Sequence, residues 1–187
     1  MVSTSNSSVE DRVLQAAESC VRHFGVERVT VAEIARRAGV SRPTVYRRWP
    51  EARSILTALL TSRITGALRD VPALGHDRKA VVDRVVAVAR RLSDDAVVMA
   101  LLRSELAMVY ITERLGTSQQ MLLGALAEQL KTAQRDGSVR PGDPRRLAAM
   151  VLLITQSAIQ SSRPVAPVLD AETLAAELTH ALNGYLS

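Results

Sequence analysis

The sequence predicts an all-α chain of about nine helices, with a three-helix domain over residues 1–50 and a larger helical domain over residues 51–187. Three observations carry that expectation. Apolar residues recur at spacings of three and four along almost the whole chain, the period of an amphipathic helix, and no stretch alternates with period two. Helix starts and stops punctuate that period, with Ser, Thr or Asp before the apolar runs and Gly or Pro after them. Composition permits a real core, since 47% of the 187 residues are hydrophobic.

The first helix is read over Val9–Phe24, where Val13, Leu14, Ala17, Cys20, Val21 and Phe24 share one face and Gly25 ends it. On that face Cys20 reads as a small core residue, because nothing basic beside it lowers its pKa. Thr30 opens the second helix, and Glu33 stands three residues on, the spacing of a capping box. Val31, Ile34, Ala35 and Ala38 form the apolar face of this helix, and Gly39 stops it, because glycine reaches positive φ without a Cβ clash. Ser41 caps a third helix, read over Arg42–Arg48, whose first turn holds Pro43 where a missing amide is no loss. Only Val45 and the ring of Tyr46 give this helix much apolar surface, so its other side chains face water or a polar partner. Trp49-Pro50 then turns the chain, and the lone tryptophan packs the three-helix domain.

A connecting helix follows over Glu51–Leu68, with Ile55, Leu56, Leu59, Leu60 and Ile64 as its apolar stripe. The chain breaks at Val71–Gly75, and Asp77 caps a valine-rich helix over Ala80–Leu92. A long helix is read over Ala96–Arg114, with Met99, Leu102, Leu106 and Tyr110 on one face. Thr117–Arg135 repeats the pattern through Met121, Leu122, Ala125, Leu126 and Leu130 until Gly137. Asp143-Pro144 starts the next helix, Arg145–Ser162, which is apolar nearly all round between Leu147 and Ile154 and so must be covered on more than one side. Asp170 caps the last, Ala171–Tyr185.

Charge points to a partner. Of the 24 basic residues 22 are arginine, with Lys79 and Lys131 the only lysines, and between Arg36 and Arg53 six arginines (36, 37, 42, 47, 48, 53) face a single acid, Glu51. Two short helices about a glycine turn, the second polar and basic, fit a DNA major groove. The same features also fit a helical protein-interaction module whose basic face binds an acidic partner. The order of residues from Thr30 to Pro50, TVAEIARRAGVSRPTVYRRWP, resembles the DNA-binding segment of the TetR family of bacterial repressors. The likeness is specific over some forty residues from near Val13 and architectural beyond about Leu60.

This resemblance implies a ligand-responsive transcription regulator, usually a repressor, that binds a palindromic DNA operator as a homodimer and is released by a small-molecule effector. Arg42, Thr44, Arg47 and Arg48, with Pro43 in the same helix, are the expected groove contacts. Tyr46 matches the family's tyrosine and would contact phosphate, or else its ring packs beneath the helix. Thr30 is expected to serve as both cap and phosphate donor. Where the family usually carries a lysine at the start of the connecting helix, this chain has Ala52, so that Arg53 replaces that phosphate contact or the contact is absent. Dimerisation is expected through the last two helices, the alternative being that both are buried within one subunit. Met99, Leu102, Arg103, Tyr110, Met121 and Gln156 are the candidate effector contacts. Beyond the first 50 residues only Tyr110 and Tyr185 are aromatic, which favours an aliphatic or amphipathic effector over a caged cation.

Other classes are disfavoured. The chain has no glycine-rich phosphate loop and no nucleophile elbow, and His23, His76 and His180 lie apart without metal-ligand spacing, so neither an enzyme, a metal site nor a cofactor is expected. One cysteine excludes an intrachain disulfide and a thiolate cluster, which suits a reducing compartment. The first eight residues lack the basic start and apolar core of a secretory signal, and the longest apolar run is far below the roughly 18 residues of a membrane span. A soluble, cytoplasmic protein without a membrane partner is the expectation.

Overall fold

The structure, a computed structural model, describes residues 8–104 and 117–187. Nine α-helices and no strand form among the described residues: α1 Val9–Phe24, α2 Val31–Ala38, α3 Arg42–Tyr46, α4 Ala52–Asp70, α5 Arg78–Asp94, α6 Ala96–Arg103, α7 Thr117–Arg135, α8 Pro144–Val165 and α9 Ala171–Leu186. They divide into two compact units, and the division falls within α4 after Arg63.

The first unit takes the chain up to Arg63 together with α6. In it α1 packs on α2 and α6, and α2 on α3. Val13, Ala17, Cys20, Ile34, Val45 and Ile55 are fully buried, and Trp49 is 6% exposed, so the cysteine and the tryptophan are core residues as the sequence suggests. Ser8 starts α1 with a complete capping box: its hydroxyl accepts from Asp11 N at 3.1 Å, and Asp11 Oδ2 accepts from Ser8 N at 3.0 Å. The box expected at Thr30 forms only its first half. Thr30 Oγ1 accepts from Glu33 N at 3.2 Å, but the Glu33 carboxylate turns to two guanidinium groups, Arg36 Nη2 at 2.6 Å and Arg37 Nε at 2.7 Å. Charge-assisted bonds of this kind outcompete a neutral backbone amide. Arg37 also donates to Ser19 Oγ at 2.7 Å and lies 4.8 Å from the centroid of the Phe24 ring, which fastens α2 to α1. Arg63, on α4, pairs with Glu18 of α1.

Bonds from Arg36 and then Arg37 hold the Glu33 carboxyl at about 2, well below its ordinary 4.5. A carboxylate with a depressed folded pKa stabilises the fold above its unfolded value and loses that contribution as pH falls. The stability gap between the native chain and Glu33→Gln is therefore expected to be full above pH 4.5 and to close as pH falls towards 2, as read from urea midpoints across that range.

Gly39 closes α2 at φ 63° and ψ 37°, the left-handed region, and no atom lies within 4 Å of where its Cβ would stand. The cost of Gly39→Ala is therefore backbone strain alone, about 1 kcal/mol, and thermal melts should show it without disturbed packing.

The third helix is shorter than the sequence suggests. It ends at Tyr46, and Arg47 and Arg48 lie in a turn in which the amides of Arg48 and Trp49 both donate to Val45 O, at 3.1 and 2.9 Å. Burial of Trp49 and the Pro50 ring, which disfavours helical backbone at the residue before it, stop the helix there.

The second unit runs from Ile64 to Asp95 and resumes with α7, α8 and α9. Here α9 packs on α5 and α8, and α7 on α8 and α5. Val82, Leu130, Val151 and Leu182 lie at its centre, each at most 1% exposed. Arginines close two of its helix ends. Arg84 donates to Leu68 O and Val71 O at 3.0 and 2.9 Å, and Arg140 donates from its amide to Leu186 O at 2.9 Å and from Nε to Tyr185 O at 2.7 Å, so terminal carbonyls that lack helical partners are satisfied.

Two helix ends differ from expectation by three residues or more. The helix read to Arg114 ends at Arg103, where Ser104 N and Oγ both donate to Leu101 O, and residues 105–116, Tyr110 among them, lie outside the described residues. The helix read to Ser162 continues to Val165 with Pro164 in its last turn. Among the described residues the apolar middle of α8 is covered on one side: Leu147, Ala148 and Val151 are buried, whereas Met150 is 41% and Leu153 58% exposed.

Candidate nucleic-acid interface

The interface is built on the short loop between α2 and α3. Gly39 reverses the chain, and Val40 N donates back to Ala35 O at 3.0 Å. Ser41 then caps α3, accepting from Thr44 N at 3.3 Å and sharing a hydrogen bond of 2.8 Å with the Thr44 hydroxyl. That bond engages the hydroxyl of Thr44, which is half-buried. Val45 is the buried anchor of the helix, and Arg42, Pro43 and Tyr46 are exposed. Tyr46 is 51% exposed, so its ring does not pack beneath the helix.

The six arginines of this segment have different fates. Arg36 and Arg37 are bound to Glu33, and Arg48 is bound to Glu10. Arg42, Arg47 and Arg53 are exposed and have no ionic partner among the described residues. The arginines free of ion pairs thus stand at the start of α3, just after its end and at the start of α4, while the Arg36–Arg37–Glu33 cluster keeps one net positive charge. Thr30 is exposed at the N-cap of α2 and shares with Arg42 the lining of a shallow open cleft of about 410 Å³. The structure thus brings Thr30 and Arg42 to one surface. Sequence reasoning missed Glu10, whose only advance signal is its place in an acidic first turn, 38 residues from Arg48.

The effector candidates are less concentrated. Met99 is buried in the first unit, with Leu102 half-buried and Arg103 exposed on the same helix. Met121 on α7 is 60% exposed, and Gln156 on α8 is half-buried. A cleft of about 110 Å³ opens within the second unit between α5, α8 and α9. Its apolar wall includes Val86, Ile159 and Leu178, its polar rim Arg90, Ser93, Asp94 and Ser162, and it is lined by none of the six candidates. No group of three or more His, Cys, Asp or Glu among the described residues is placed to hold a metal ion, and no described helix is long and apolar enough to cross a membrane.

Residues 13–59 match the family of bacterial regulatory proteins named tetR. An HTH-type transcriptional regulator of Mycobacterium tuberculosis is 62% identical over 188 residues, which span the whole of both chains. This chain belongs to the TetR family. It is a helix–turn–helix transcriptional regulator and not an enzyme. Solved TetR-type structures share the fold at lower identity. A TetR-family transcriptional regulator from Rhodococcus sp. aligns with a TM-score of 0.71 at 20% identity, over 96% of this chain and 98% of the other. FadR from Bacillus subtilis, solved in complex with stearoyl-CoA, aligns with a TM-score of 0.69 at 18% identity, over 95% and 99%.

Proposed function

We propose that this TetR-family regulator is a repressor that binds a palindromic operator as a homodimer and leaves it when a small amphipathic molecule binds. The observation that carries the DNA reading is the set of exposed, unpartnered arginines around α3. In this reading Arg42 and Arg47 meet base edges, Thr44 offers its methyl, Pro43 lies against the groove wall, and Thr30, Tyr46 and Arg53 meet phosphates. A helix of five residues reaches few base pairs, and a two-fold dimer doubles that contact. Residues 1–50 act as the DNA-binding domain and residues 51–187 as the effector and dimer domain. The exposed Met150 and Leu153 of α8 support dimerisation through α8 and α9, because this apolar side of α8 lacks cover among the described residues.

The cleft between α5, α8 and α9 is a candidate effector seat, with apolar walls and with Arg90 and Asp94 at its rim, and at about 110 Å³ it must widen to admit an amphipathic molecule, since small-molecule sites usually hold about 300 Å³ or more. The acyl-CoA ligand of the FadR neighbour supports an effector of that amphipathic kind. Met99, Leu102, Arg103, Tyr110, Met121 and Gln156 remain a second set of contacts for substitution. Effector binding favours a conformation in which α4, which carries residues of both units, holds α3 away from the groove, and the operator is released.

Selection of random DNA duplexes on the purified chain tests the reading. An enriched palindrome with half-sites about one helical turn apart supports it, and a pool without a motif, bound only at low salt, overturns it in favour of a basic interaction surface. On the selected operator, Arg47→Ala is expected to weaken binding about tenfold and to relax discrimination at one base pair, since a bidentate arginine–guanine contact supplies roughly 1–3 kcal/mol. Equal loss on every sequence in a binding titration would place Arg47 on phosphate instead.

A further inference from the structure

Arg47 and Arg48 leave the same turn and meet different surroundings. Arg47 is exposed and unpartnered, whereas the Arg48 guanidinium lies 5.0 Å from the centroid of the Trp49 ring and donates from Nη2 to Glu10 Oε2 at 2.6 Å. Both partners of Arg48 belong to anchored parts of the chain. Trp49 is buried, and Glu10 sits in the first turn of α1, which the Ser8–Asp11 capping box holds in place. We propose that Arg48 is a positioning residue, tethered by Glu10 to set the angle of α3 in the groove, and that it contacts neither base nor phosphate.

The argument rests on α3 being the DNA-contacting element. A helix of five residues cannot hold its own direction in water, since nucleation alone is unfavourable at that length. Its orientation must come from tertiary contacts at its two ends. Ser41 and Val45 fix the start and the buried face, and the contact between Arg48 and Glu10, which joins positions 38 residues apart, fixes the exit. Moving Arg48 to a phosphate would break that bond and its contact with the indole, and would leave the Glu10 carboxylate beside the negative backbone of DNA. Paired, the two charges cancel at the edge of the interface, and the free cation of Arg47 lies beside them.

The test uses the full chain, its selected operator and an unrelated duplex, with the folded state of each variant checked by circular dichroism at the working temperature. If Glu10 positions Arg48, Glu10→Gln lowers operator affinity about threefold to fivefold, the worth of an exposed ion pair, even though it removes a negative charge from the DNA face. Arg48→Met gives a similar loss with the logarithmic salt slope unchanged, the double variant is no worse than either single one, and the ratio of operator to unrelated binding falls in all three. The proposal is overturned if Glu10→Gln strengthens binding, or if Arg48→Met lowers the salt slope by about one, the mark of a lost phosphate contact. Unchanged affinity in both single variants also overturns it. A native chain that selects no operator would overturn the DNA reading itself, and the positioning role with it.

Discussion

If the chain dimerises through α8 as proposed, Leu153→Glu is expected to convert the dimer into a monomer and to lower operator affinity by more than about 100-fold. The residue is 58% exposed on α8, one turn from the 41% exposed Met150, while the opposite side of the helix is buried in its own unit. In a two-fold interface the same patch meets its copy, so one substitution places two carboxylates in one apolar contact. Burying such charges without partners costs several kcal/mol each, more than a contact patch of this kind supplies. Sedimentation would read the mass directly. Loss of the second half-site contact follows from monomer formation, so the drop in affinity and the drop in mass should track each other across protein concentration. A variant that remains dimeric and binds normally would remove α8 from the interface.

Ile34→Ala should destabilise the first unit by about 3 kcal/mol, within the 2–5 kcal/mol typical of emptying a buried aliphatic site. Ile34 has no solvent exposure and stands on α2, which packs against both α1 and α3. Val13 of α1 and Val45 of α3 are likewise fully buried in the same unit, so the cavity falls on the helix that both α1 and α3 pack against. Fluorescence of the single tryptophan, Trp49, reports this unit alone, and its urea midpoint should fall while far-ultraviolet dichroism, dominated by the larger second unit, shifts less. Coincident shifts by both probes would mean that the two units unfold as one.

Most of the fold was legible in the sequence because it rests on local rules. Apolar spacing placed the helices, Asp77, Asp143 and Asp170 marked three starts that the structure confirms by side-chain bonds to the following amides, and Gly39 marked the turn. What stayed hidden depends on contacts distant in the chain. The Thr30–Glu33 spacing suggested a reciprocal cap, but Arg36 and Arg37 on the next turn take the carboxylate, a competition that a motif does not score. Six arginines looked alike in one basic run. Glu33 lies just outside that run and Glu10 lies 38 residues from Arg48, so only the folded chain separates the three bound guanidinium groups from Arg42, Arg47 and Arg53. The end of α3 was misjudged for a similar reason: the burial of Trp49, rather than helix propensity, decides where it stops. The cleft in the second unit escaped altogether, since Val86, Ile159 and Leu178 have the same spacing signature as any core residue.

The exposed cations around α3 without an ionic partner among the described residues are all guanidinium groups, and the nearest lysine in the sequence is Lys79, on α5. Acetylation, which silences many lysine-based DNA contacts, has no target on this surface, and no histidine lies between Thr30 and Arg53 to respond to acidity. In the proposed complex the charges of Arg42, Arg47 and Arg53 are thus insensitive to acetylation and to physiological pH. Occupancy of the operator would then follow ionic strength and whatever changes the placement of α3.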